Sequence, residues 1–239
     1  MVTAVGVQPS AQGMATLSES ESEGDLLNLT LSRHKEYRVL SLLGKGTSGS
    51  VYLVERLADS KKMAIKCINL KEAGGGRLRT SEMTQMLKRM EAYISLFKDL
   101  SQHPHRNVVQ YYDSFIETST SELFVVLEYV KGSELADLVR LRQDRGAEAV
   151  SNRRIMSVTR QLLSALVHLH SMTPAVIHRD IKPENVLVDQ YGTVKLVDFG
   201  LARVVEPEDL ASTYCGSPLY MSPEIFRGEE YNEKTDIWS

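Results

Sequence analysis

The chain has only two cysteines, Cys67 and Cys215, and they sit in unrelated contexts. Two are too few for a disulfide framework, which excludes a small stapled secreted fold and fits a reducing compartment. No apolar run approaches the ~18 residues that a membrane-spanning helix needs. The N-terminus has no basic flank followed by an apolar stretch, so it does not read as a secretory signal. Val2 after Met1 rules out N-myristoylation. A basic excess is also missing: the formal net charge of -3 argues against non-specific nucleic-acid binding. These absences point to a protein with neither nucleic acid nor membrane as partner. They suggest an intracellular, cytoplasmic setting, with the nucleus still open.

The first residues differ from the rest. The acidic run Ser18-Glu19-Ser20-Glu21-Ser22-Glu23-Gly24-Asp25 has little to bury, so residues 1–36 are expected to form a disordered acidic tail. From Tyr37 the pattern alternates. Tyr37–Leu43, Ser50–Leu57 and Lys61–Ile68 read as short strands, and Asp59-Ser60 as a turn. Gly74-Gly75-Gly76 reads as a loop. Met83, Met86, Leu87, Met90, Ile94 and Phe97 then recur at helical spacing, predicting one amphipathic helix from about Thr80 to Leu100. Val108–Phe115 and Leu123–Tyr129 are further strands, so the first half is a mostly antiparallel unit carrying one helix. After Ser151, placed as an N-cap, Ile155, Val158, Leu162, Leu166 and Leu169 form one apolar stripe. Short strands follow around Val186–Val188 and Val194–Val197.

Three motifs carry chemistry. Gly44, Gly46 and Gly49 lie between two strands, where backbone N–H groups can approach phosphate oxygens without obstruction, with Lys45 among them. Taken alone, a glycine-rich hairpin is commonly just a turn, and a following strand excludes a dinucleotide fingerprint. Lys66 ends the apolar stretch Met63-Ala64-Ile65, and a buried ammonium must find an anion unless it snorkels out. The third motif is His178-Arg179-Asp180-Ile181-Lys182-Pro183-Glu184-Asn185, with Asp198-Phe199-Gly200 after it. Phosphoryl transfer needs an orienter for the attacking hydroxyl, cations on the phosphates and hard oxygen ligands for Mg²⁺. Asp180, Lys182, Asn185 and Asp198 have those chemistries. A surface ion pair or a simple turn explains either triplet alone, but not both together.

On these motifs the chain resembles the eukaryotic protein kinase family, serine/threonine type, over Tyr37 to Ser239. The resemblance implies an α+β, two-lobed fold: an N-lobe over 37–127, a hinge at 128–130 and a C-lobe over 131–239. It places ATP in the cleft with Mg²⁺ on Asn185 and Asp198, and Lys66 on the phosphates. Leu127 would be the gatekeeper. Glu128-Tyr129-Val130 would hold adenine by its backbone, with Leu43, Val51, Ala64 and Leu187 sandwiching the ring and Glu134 reaching the ribose. Lys182 in the catalytic stretch is the serine/threonine form. Thr213 matches the usual phosphorylation position, reached by an upstream kinase or by autophosphorylation, and Arg179 would pair the phosphate. The stretch Thr213–Glu224 resembles a substrate-facing activation segment, suited to a protein with a Ser or Thr acceptor. Cys215-Gly216-Ser217-Pro218 and Tyr220–Glu224 are similar to NIMA-related and Unc-51-like kinases.

Two departures stand out. The helix should offer Lys66 a glutamate, and Glu91 is the candidate, yet the family's spacing lands on Tyr93; Glu91 serves either as that partner or as an exposed charge. Asp236-Ile237-Trp238-Ser239 resembles the start of the central large-lobe helix, so the C-lobe is expected to be partial. A non-catalytic nucleotide-binding module, pseudokinase-like, is therefore the alternative to an active kinase. A small-molecule phosphotransferase is a third reading, disfavoured by Thr213–Glu224.

Overall fold

The computed structural model describes residues 36–46, 49–69, 80–117, 122–144, 151–205 and 215–239. The acidic run at Ser18–Asp25, the Gly74–Gly76 loop and Thr213 lie outside the described residues.

Five strands form the first layer: β1 Tyr37–Gly46, β2 Gly49–Arg56, β3 Lys61–Asn69, β4 Tyr111–Glu117 and β5 Glu122–Glu128. Their order is β1-β2-β3-β5-β4, and every neighbouring pair is antiparallel. The two faces separate by the period-two rule. Met63, Ile65 and Cys67 of β3 pack with Tyr52, Val54, Phe124 and Val126 in one cluster. Ala64 and Lys66 alternate with them and look the other way, into a cleft. Helix α1, Thr80–Gln102, packs against β4 and buries Leu96, Phe97 and Leu100.

Strand β4 begins three residues later than the apolar pattern at Val108 suggests. Val109 N–H donates to Leu196 O, and Leu196 N–H donates to Asn107 O. This stretch therefore stitches onto the lower part of the molecule before the chain joins the upper sheet. Buried Asn107 reinforces the seam, donating to Val194 O at 2.7 Å and Gln161 Oε1 at 3.0 Å.

The lower part is mainly helical. It contains β6 Gly132–Glu134, α2 Leu135–Asp144, α3 Asn152–His170, β7 Ala175–Ile177, β8 Val186–Asp189, β9 Val194–Leu196 and β10 Arg203–Val205. Short helices α4 Pro223–Phe226 and α5 Lys234–Trp238 follow. Strands β6, β8 and β9 form one small sheet, β7 and β10 another. Ser151 does stand at the N-cap of α3, but its side chain makes no capping bond; its carbonyl accepts from Arg154 and Ile155 N–H instead. The apolar stripe of α3 is buried only toward its end, at Ala165, Leu166 and Leu169, whereas Ile155 is exposed. No helix among the described residues is long and apolar enough to cross a membrane.

A column of aromatic rings joins the two parts. Phe97 stacks on Tyr111 with centroids 5.2 Å apart and meets Phe199 edge-on at 6.3 Å. Phe199 in turn meets His178 edge-on at 4.9 Å. Upper strand, helix and the loop at 178–185 thus share one continuous core.

Candidate active site

A cleft of about 510 Å³ lies between the five-stranded sheet and the lower part. It gathers Leu43, Gly44, Lys45, Gly46, Gly49, Val51, Ala64 and Lys66 from the strands above. Leu127, Glu128, Val130 and Glu134 line it from the connecting stretch, and Asn185, Leu187 and Asp198 from below. The glycine hairpin makes its roof. Gly46 and Gly49 face each other across the β1–β2 tip. At Gly44 and Gly46 an added Cβ would meet nothing within 4 Å, so a ligand's oxygens could approach that backbone closely. Gly49 is different: its φ is +122°, and a Cβ there would sit 2.0 Å from Cys67 O. This glycine is required by the fold itself.

Lys66 is buried, 5% exposed, and its Nζ donates to Asp198 Oδ1 at 2.5 Å. Asp198 is presented by a local turn. Its backbone is left-handed (φ 59°), and its carboxylate accepts from Gly200 N–H at 3.1 Å. Burial pushes the Asp198 pKa up, but the charge and hydrogen bond of Lys66 and the Gly200 N–H outweigh it and hold the carboxyl below its usual range. An anionic Asp198 and the amide oxygen of Asn185 are the hard oxygen donors that magnesium takes from protein when phosphates and water complete its shell. Their presence on one cleft wall fits that ion.

Asp180 lies on the loop beneath. Its Oδ1 accepts from Ser217 N–H at 3.1 Å and Ser217 Oγ–H at 2.8 Å; its Oδ2 accepts from Asn185 Nδ2 at 2.9 Å. Lys182 Nζ lies 2.8 Å from the same Oδ2 and donates to Ser217 Oγ at 2.8 Å. Burial raises the Asp180 pKa, yet Lys182, Ser217 and Asn185 together lower it below normal. The loop is pinned from behind by Asp236, 2% exposed, which accepts from the backbone N–H of His178 and of Arg179, each at 2.8 Å. His170 Nε2 completes that set at 2.9 Å. Burial lowers the His178 pKa and keeps the ring neutral, with Nε2–H donating to Val197 O and Nδ1 accepting from Asp180 N–H.

Arg179 (φ 66°) donates to Leu201 O at 2.6 Å and to Tyr231 Oη at 3.0 Å. Its proposed phosphate partner, Thr213, is outside the described residues. The Glu128 side chain is itself engaged: Lys195 Nζ reaches its Oε2 at 2.7 Å, and Gln110 N–H donates to the same oxygen at 3.1 Å. Glu134 sits near Asp137 and Glu184; burial first, then those two charges, raises its pKa.

Glu91 departs from the expectation that it pairs with Lys66. It is exposed, it does not line the cleft, and the structure does not bring it to Lys66. Two residues on, Tyr93 points inward and lines the cleft beside Phe97. A 3.6-residue turn puts neighbours two apart on nearly opposite faces, so both cannot look into one site. Pattern reading also missed Ser217 and Asp236 as site residues. The signal for Ser217 is Gly216, whose φ of +105° and close approach to Arg179 O (2.6 Å from a Cβ) press this segment onto the loop.

A lysine–aspartate pair spans the cleft, a lysine-gripped aspartate lies beneath it and a glycine hairpin roofs it. The model of the protein kinase domain matches residues 37–239, and the chain belongs to that family. It is 35% identical to serine/threonine-protein kinase Nek2 of Homo sapiens over 213 residues, 87% of this chain and 45% of the relative. A probable serine/threonine-protein kinase nek2 of Dictyostelium discoideum is 34% identical over 209 residues, 85% of this chain and 46% of that one. Serine/threonine-protein kinase MST20 of Pyricularia oryzae is 35% identical over 227 residues, 95% and 21% respectively. The chain thus spans less than half the length of these curated relatives.

Proposed function

We propose that this chain is a serine/threonine protein kinase that transfers the γ-phosphate of MgATP to a protein hydroxyl. The observation that carries the reading is the convergence on one cleft: Lys66 of the upper strands bonded to Asp198 from below, Asn185 on the same lower wall, and Asp180 with Lys182 joined to Asn185. Asp180 orients the substrate hydroxyl and accepts its proton or hydrogen bond, and its depressed pKa keeps it anionic at neutral pH. Lys182 offers positive charge to the transferring group, and Lys66 to the phosphates above. Asn185 and Asp198 would hold magnesium, which neutralises charge on the phosphates when bound. Leu43, Val51, Ala64 and Leu187 supply the apolar walls for adenine, with the backbone of Glu128 and Val130 at its edge and Glu134 toward the ribose. Ser217, now on Asp180, marks where an acceptor hydroxyl enters. Phosphorylation of Thr213, by an upstream kinase or by the chain itself, and its pairing with Arg179 belong to the same proposal, as does an intracellular site of action.

One observation favours a second reading, a nucleotide-binding module without catalysis: Glu91 does not pair with Lys66. An assay on a generic basic protein separates the two. Wild type should transfer phosphate, and Asp180→Ala should lose about a thousandfold or more while still binding MgATP. Equal, near-background signals from both would sink the catalytic reading.

A further inference from the structure

Lys66 has one carboxylate partner among the described residues, Asp198, at 2.5 Å. On the reading above, Asp198 must also serve magnesium. An ammonium carries three N–H donors, and Asp198 together with the phosphates assigned to Lys66 above leave room for a further acceptor at this 5%-exposed group. Another group at the same spot is short of a partner. Tyr93 Oη is one of two buried side-chain oxygens or nitrogens without a hydrogen-bond partner among the described residues. Both groups, and Asp198, surround one point. A Cβ built on Gly200 would lie 3.0 Å from Asp198 Oδ1, 3.6 Å from Lys66 Nζ and 3.8 Å from Tyr93 Oη. The ring is held there by edge-on contact with Phe97 at 4.8 Å, so the hydroxyl is delivered by a packed element and not by a loose surface side chain.

We propose that Tyr93 is a positioning residue for phosphate binding: its hydroxyl accepts a hydrogen bond from Lys66 Nζ in the nucleotide-loaded protein, standing in for a helix carboxylate. This rests on the kinase reading of the cleft. Burial first, and the neighbouring Asp198 charge second, raise the pKa of the phenol, so it stays neutral across the working range. A neutral acceptor can hold an ammonium in place without setting a second negative charge beside the phosphates.

The test is Tyr93→Phe, which removes one oxygen and keeps the ring. MgATP affinity is read by titration, nucleotide-free stability by thermal melting, and peptide KM and kcat by steady-state phosphorylation. The expected result is MgATP binding weakened about threefold to tenfold, the worth of one net hydrogen bond. The melting temperature should be equal or higher, because a buried unpartnered hydroxyl is lost, and peptide KM should not move. Unchanged MgATP affinity would overturn the proposal. So would a parallel fall of affinity and melting temperature, which marks a merely structural hydroxyl. Failure of wild type to bind MgATP would overturn it together with the kinase reading. If MgATP binding weakens in the variant while neither protein transfers phosphate, the positioning role stands and only catalysis fails.

Discussion

At Gly49 the backbone holds φ at +122°, and Cys67 O stands where any side chain would begin. Gly49→Ala must both strain the backbone and push β2 from β3, so about 2 kcal/mol or more of stability should be lost, visible as a lower urea midpoint. Gly46→Ala, with nothing within 4 Å of its Cβ, should leave that midpoint nearly unchanged and reveal itself only in weaker MgATP binding. The paired carboxylates give a pH signature. Asp180 and Asp198 both have folded pKa values below their ordinary range, so their contribution to stability is complete above about pH 4 and lost only as pH falls through the lowered values. Buried His178, whose pKa is lowered, adds a loss that begins as pH falls below its ordinary value of about 6.5. Urea midpoints measured from pH 7 to pH 3 should therefore fall in two stages, the second at the acid end, and a midpoint flat from pH 7 to pH 5 would contradict this account.

At the scale of elements, the strands and α1 were legible because their periodicity is strong: Tyr37, Gly49, Lys61, Thr80 and Glu122 start elements within a residue or so of where alternation and helical spacing place them. The start of β4 was not, since Val108 and Val109 are apolar for a reason that periodicity cannot see, namely their pairing with distant Leu196. The cleft residues could be read from motif order, because each motif occupies one loop or strand. Glu91 could not, because helix rotation relative to a distant lysine is decided by which ring, Tyr93 or Phe97, packs against the core. Asp236 escaped notice for the same reason: a lone aspartate in a short helix gains its role from two backbone N–H groups far back in the chain. Asp236→Ala strands both donors in a buried site and should cost about 2–4 kcal/mol, measured by chemical denaturation. Asp236→Asn keeps one acceptor oxygen, and about half the loss is expected.

On the scale of the whole molecule, the two halves meet through few covalent crossings, so their relative placement depends on side chains that belong to both. The ring column Tyr111–Phe97–Phe199–His178 is that shared material, and Phe97 is its middle member, 3% exposed and touching both Tyr111 and Phe199. Phe97→Ala removes a ring from a packed core, which costs about 3–5 kcal/mol in general. Here it also removes the contact through which α1 fixes Phe199, and with it the neighbouring Asp198. Stability and function should therefore separate. At a temperature where the variant remains folded by circular dichroism, phosphate transfer per folded molecule should fall about tenfold further than the folded fraction explains. Phe97→Leu restores most of the volume and much of the stability, but a branched aliphatic side chain lacks the flat edge that meets Phe199, so its transfer rate should recover less than its melting temperature. If both variants lose activity only in proportion to unfolded protein, the column is core packing and does not couple the lobes.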